Sequence, residues 1–121
     1  MVLSSPIDFH DFHLLLLPER LASGNGLLAA QAARELEPLA LRIRGTDNAY
    51  TYVPSSYGID LLAGTETEWV VELDQDAWEM VVLGLESNAD AFLLAAVADQ
   101  SFDEGFLSRW GQVLHLMCYG V

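Results

Sequence analysis

The sequence predicts an α+β domain: an antiparallel sheet of four to five strands with helices packed on one face. Three observations carry this expectation. Apolar stripes of helical period with cap residues occupy both ends of the chain, and alternating apolar positions with β-branched and aromatic residues occupy the middle. The connections between the strands read as short turns, which suit hairpins and not parallel crossovers. A length of 121 residues fits one hydrophobic core better than two, so a single domain over 1–121 is expected.

The opening "SSPIDF" offers Ser5 as an N-cap, Pro6 at the first helical position and Asp8 three residues after the cap. A first helix is expected from about Pro6 to Leu17, with Phe9, Phe12 and Leu16 as its buried stripe and Pro18 ending it. A short turn of helix, "PERLAS", follows, and "GNG" then punctuates. "LLAAQAARELE" from Leu27 to Glu37 is rich in strong helix formers, with Leu28, Ala32 and Leu36 on one stripe and Pro38 as its stop.

The period then changes. In "LALRIR", Leu39, Leu41 and Ile43 alternate against Ala40, Arg42 and Arg44, and "GTDN" supplies a turn into "AYTYV", so the two read as a hairpin. "IDLLAG" and "EWVVELD" give two more strands, with Trp69, Val71 and Leu73 on one face. Asp74 is the expected N-cap of a helix over "QDAWEMVVLGL", with Ala77 or Trp78, Val81 and Leu85 sharing a face and Gly84 closing it. "SNADAFLLAAV" reads as a further helix, and Ala96 to Gln100 as a possible fifth strand. From Asp103 onward, Phe106, Leu107, Trp110, Val113, Leu114 and Met117 trace an amphipathic helix.

Composition excludes several function classes. Eighteen acidic residues stand against five basic ones, all arginine, for a formal charge of −13. A nucleic-acid partner is therefore not expected, since phosphates would approach against the field. No stretch nears the roughly 20 apolar residues of a membrane span, and no secretory signal is recognisable, so a cytoplasmic location is expected. The single cysteine, Cys118, excludes an internal disulfide and a cysteine-based zinc module. The ending "MCYGV", directly after an amphipathic helix, suggests a trimmed chain.

The order of elements, with "AYTYVPSSYGIDLLAGTETEWVVELDQDAWEMVVLG" followed by "ADAFLLAAV", resembles the sterol carrier protein type domain, a family of small lipid-binding modules. The matching positions are Val70 to Leu73 for a strand, Asp74 to Gly84 for a helix, and Ala91 with Phe92 for the next helix, within a resemblance covering roughly 27–118. A departure is "AVADQSFDEG", acidic where the family continues into a basic, glycine-containing strand. "DFHDFHLLLLPERLASGNGLLAA" and "RWGQVLHLMCYG" are also similar to segments ahead of phytanoyl-CoA-dioxygenase-like domains, which implies an accessory module.

The residues with chemical potential are read against plainer roles. His10 and His13, interleaved with Asp8 and Asp11, carry the residue types of a two-histidine, one-carboxylate iron site. The only other histidine, His115, lies on a distant helix, so His13 is expected to be packed and His10 to face solvent. His115 and Cys118 are neighbours at i, i+3 in apolar surroundings, which points to a packed thiol. Glu72, Asp74, Asp76 and Glu79 lack the loop glycine and terminal glutamate of a calcium loop and read as a solvated helix start. No nucleophile elbow or phosphate-cradling loop is present.

Trp78, Phe92, Trp110, Leu114 and Met117 are the expected ligand-binding residues, facing a sheet that contributes Tyr50, Tyr52 and Trp69. Such side chains either fill a core at crystal-like density or line an apolar site; the resemblance implies a tunnel. The expected function is non-enzymatic binding of a lipid, sterol or fatty acyl chain, with no cofactor and no metal. The alternative is an accessory domain with a filled core that docks a catalytic protein partner.

Overall fold

A computed structural model of the chain describes residues 8–85, 92 and 104–120. Helices α1 (Phe9–Asp11), α2 (Leu17–Arg20) and α3 (Gly26–Ala32) form a continuous helical run joined by π-helical turns, Phe12–Leu16 and Leu21–Asn25. Strands β1 (Leu39–Ile43), β2 (Ala49–Pro54), β3 (Ile59–Ala63) and β4 (Val70–Leu73) follow, then α4 (Gln75–Gly84) and α5 (Glu104–Tyr119). The helices pack on one face of the sheet, and the architecture is α+β. The expected helix around residues 87–97 and the fifth strand over 96–100 lie outside the described residues, apart from Phe92, which is helical and buried.

Ser5 and Pro6 also lie outside them. The observed cap of α1 is Asp8, whose carboxylate accepts the Asp11 N–H at 2.9 Å. Pro18 occupies the first turn of α2, the place expected for it in the short helix after it, but the helical run continues through it without the expected break. A proline cannot donate to the carbonyl four residues back, and its ring crowds that carbonyl. The π turn just before it opens the helix, with the Leu17 N–H bonded to the Phe12 carbonyl. The wider turn rotates the following residues by about one position. Phe9, Phe12, His13 and Leu17 therefore face inward, and Leu16 is 43% exposed.

The next stripe also shifts. Helix α3 ends at Ala32, and its buried positions are Gly26, Ala29 and Ala30 instead of Leu28, Ala32 and Leu36. Leu36 is buried, but in the segment after the helix. Small residues let α3 lie close to α5, whose Gly111 is buried. Three polar side chains tie this contact at helix ends, where carbonyls lack intrahelical partners. Arg20 donates to the Cys118 carbonyl and Asn25 to the Met117 carbonyl at the end of α5. Arg109 donates to the Ala32 and Arg34 carbonyls at the end of α3.

The sheet order is β3-β2-β1-β4, and β4 lies parallel to β1, so the sheet is mixed and not purely antiparallel. Ala63 pairs with Tyr50, Tyr50 with Leu41 and Leu41 with Val71, which places all four in one row across the sheet. The chain thus leaves β3 at the level where β4 begins. It needs only to move sideways by three strand spacings, roughly 14 Å, within reach of six extended residues at about 3.3 Å each. Parallel strands ordinarily require a long crossover because the chain must return along the strand; the stagger of β3 against β4 removes that requirement.

Thr51 pins this crossing on the sheet face away from the helices. Its hydroxyl donates to the Gly64 carbonyl and accepts the Glu66 N–H, both at 2.8 Å, and the residue is fully buried. Replacing it by valine keeps the shape and leaves both backbone groups without that partner. Thr51→Val is expected to lower the unfolding free energy in urea by about 1–3 kcal/mol, with Thr51→Ser recovering most of the loss. Equal stability of the valine variant and the parent would remove the pin from the account.

Candidate functional site

The repeat "DFHDFH" meets β2 residue by residue. On the opening helix His10 and His13 are three apart; on the strand Tyr50 and Tyr52 are two apart and share a face. Two histidine–tyrosine bonds result: His10 Nδ1 with the Tyr50 hydroxyl at 2.9 Å, and His13 Nε2 with the Tyr52 hydroxyl at 2.5 Å. His13 Nδ1 lies 2.7 Å from the Phe9 carbonyl. A carbonyl only accepts, so Nδ1 carries the proton and Nε2 accepts from Tyr52. His10 stays exposed and also meets the Asn48 side chain at 3.1 Å.

His13 is buried and stacked on Tyr50, with ring centroids 4.3 Å apart and planes 6° apart, amid Phe9, Phe12 and Trp78. Loss of hydration holds its pKa down from 6.5 to about 4, with nearby His10 adding to the effect and the Phe9 carbonyl opposing it. The ring is neutral and fully partnered, which is a packing role. Burial pushes the Tyr52 hydroxyl well above its usual range. Among the described residues no group of three or more histidine, cysteine, aspartate or glutamate side chains is placed to hold a metal ion.

Beside this pair lies a seam where the sheet, the opening helix, α4 and α5 meet. Phe12, Leu41, Tyr52, Trp78, Val81, Val82, Leu85, Leu114 and Cys118 surround a cavity of about 10 Å³, room for about one water molecule. Of the five side chains expected to bind a ligand, Trp78 and Leu114 border this seam. Trp110, Met117 and Phe92 are buried in the same hydrophobic cluster. Trp110 packs on Tyr52 at 6.0 Å and donates its indole N–H to the Glu37 carbonyl at 2.9 Å. Among the described residues the seam is therefore nearly filled.

Sequence reasoning placed Tyr52 on the sheet face toward the expected site but missed Phe12 and Val82 as lining. The alternation of β2 was the available signal for Tyr52; the π turn hid how the opening helix would face. Helix α5 also holds α4 by its end: Tyr119 donates to the Val82 carbonyl at 2.8 Å, and His115 Nδ1 bonds the Leu85 carbonyl. His115 is thus engaged elsewhere than at Cys118. Burial pushes the Cys118 thiol up to about 12, with Arg20 opposing, so it stays protonated and a poor nucleophile at neutral pH.

The acidic stretch at the start of α4 faces arginines. Glu72 pairs with Arg42 at 2.6 Å, and Asp74 with Arg44 at 3.3 Å. Asp74 holds the N-cap position, but its side chain makes no cap hydrogen bond. Glu79 accepts from Gln75 at 2.7 Å. Among the described residues no helix is long and apolar enough to cross a membrane.

No protein-family model matches the sequence, and no curated protein matches it. A solved structure described as a UbiJ-SCP2 ubiquinone synthesis protein is similar, with a TM-score of 0.59 and 12% sequence identity. The match covers 97% of this chain and 96% of that one. At this identity the likeness concerns the fold: the described residues have a sterol-carrier-like fold.

Proposed function

We propose that the chain is a non-enzymatic binding module for a hydrophobic molecule (a lipid, sterol or fatty acyl chain) held between the sheet and α5. The observation that carries this reading is the seam, an apolar meeting of four elements with a void at its centre. The fold likeness adds support, and the neighbour's description as a ubiquinone synthesis protein brings quinone-type molecules into the set to try. Affinity would come from removing apolar surface from water, at roughly 25 cal/mol per Å².

Drug-sized ligands occupy sites of about 300–1,000 Å³, so binding requires the seam to open. The bonds from Tyr119 and His115 to α4 make α4 and α5 a natural pair to move together against the sheet. The buried neutral His13 and the protonated Cys118 favour a binding role over catalysis.

A second reading is favoured by Leu14 and Leu15, 60% and 63% exposed on the opening helix. Exposed leucines on a helix suit an accessory domain that docks a catalytic partner, a phytanoyl-CoA-dioxygenase-like enzyme being one version. One experiment separates the two. Solvent extraction of purified protein, followed by mass spectrometry, is expected to release a hydrophobic molecule near one per chain, and stripped protein to take up a fluorescent fatty acid or a short-chain quinone. Protein that arrives empty and takes up neither sinks the first reading. The second then requires a defined partner that co-purifies and is lost on changing Leu14 and Leu15 to serine.

A further inference from the structure

A concavity of about 500 Å³ lies away from the seam, where the end of α3 faces the turn after β2. Its floor is apolar, from Ala33, Leu36 and Pro54, while Arg34, Glu35 and Ser56 stand on its rim. Four of the five arginines are committed: Arg42 and Arg44 to carboxylates, Arg20 and Arg109 to helix-terminal carbonyls. The Arg34 guanidinium makes no hydrogen bond or ion pair with a described residue. In a chain of net charge −13, the uncommitted cation sits on the rim of this cleft.

The walls are fixed while the rim side chains are free. Arg109 holds the Ala32 and Arg34 carbonyls. Opposite, the Ser55 N–H and hydroxyl both bond the Gly58 carbonyl, which sets the turn. Glu35 has a φ of 63°, the left-handed region that glycine favours after a helix. A glutamate adopts this conformation at a steric cost that glycine avoids.

We propose that this cleft binds a small zwitterion, its phosphate or carboxylate on Arg34 and its ammonium on Glu35. An anion alone would meet Glu35 and the negative field of the chain; a cation alone would meet Arg34. A ligand carrying both charges satisfies both rim groups. Ser56 adds a hydroxyl that can donate to the anionic end.

The two sources of such chemistry, a phospholipid headgroup and a free amino acid, separate by titration. Nuclear magnetic resonance of the ¹⁵N-labelled full chain is recorded with glycerophosphoethanolamine and, separately, γ-aminobutyrate. Inorganic phosphate and ethylammonium serve as single-charge probes. Saturable shifts confined to residues 31–36 and 54–57 are expected with one zwitterion, and at least about tenfold weaker binding with either single-charge probe. Arg34→Gln and Glu35→Gln, both exposed positions, each weaken binding about tenfold or more while leaving the remaining spectrum unchanged. Binding of glycerophosphoethanolamine assigns a lipid headgroup, and binding of γ-aminobutyrate an amino acid. The proposal is overturned if neither saturates, if phosphate binds as tightly, or if the variants bind like the parent.

Discussion

Lowering the pH through the interval from 6.5 to about 4 is expected to cost the folded protein about 3 kcal/mol through His13 alone. Burial depresses the imidazole pKa in the folded chain, so within this interval the unfolded state takes up a proton that the folded state refuses. The contribution is complete above about pH 6.5 and is lost as the pH falls to about 4. Protonation would place a charge among Phe9, Phe12, Tyr50 and Trp78 and end the acceptance of the Tyr52 hydroxyl by Nε2. Urea unfolding across this range should show the parent losing about 3 kcal/mol more than His13→Phe. Every other ionisable group is present in both proteins, so its effect largely cancels in the difference. Parallel curves would mean that the ring is not held neutral by burial.

Trp78→Ala is expected to destabilise the protein by about 3–5 kcal/mol, the range for removing a large aromatic side chain from a packed core. Trp78 is 1% exposed and lies against Phe9 and Phe12, with ring centroids 4.9 and 5.4 Å away. Its removal enlarges the void of about 10 Å³ at the seam into an apolar cavity able to take a small guest such as benzene. A loss below about 1 kcal/mol would show that Trp78 already borders an open lumen. This measurement therefore tests whether the unliganded seam is closed, and hence whether binding a lipid requires α4 and α5 to move.

Both predictions involve the opening helix, whose chemistry looked like a metal site in isolation. The tyrosines of β2 decide otherwise. Each histidine finds a phenol across the helix–strand contact, and His13 adds a bond to the Phe9 carbonyl. Two of the five expected ligand residues border the seam, and the others are buried in the surrounding cluster. The seam's remaining lining comes from elements whose orientation depends on long-range packing.

Local chemistry by itself determined much. Alternation in "LALRI" and "AYTYV" specifies two strands and their inner faces, because a period of two puts every second side chain on one side. The stripe through Leu107, Trp110, Val113, Leu114 and Met117 specifies α5, and all five side chains are buried. Tertiary structure decided what no local pattern encodes. The opening helix passes Pro18 because a π turn accommodates it, which moves the buried position from Leu16 to Leu17. Strand β4 runs parallel to β1 because β3 is staggered so that six residues, pinned by Thr51, can cross the sheet sideways. Period and propensity act over a few residues; stagger, register and the filling of the seam depend on contacts between residues distant in the chain.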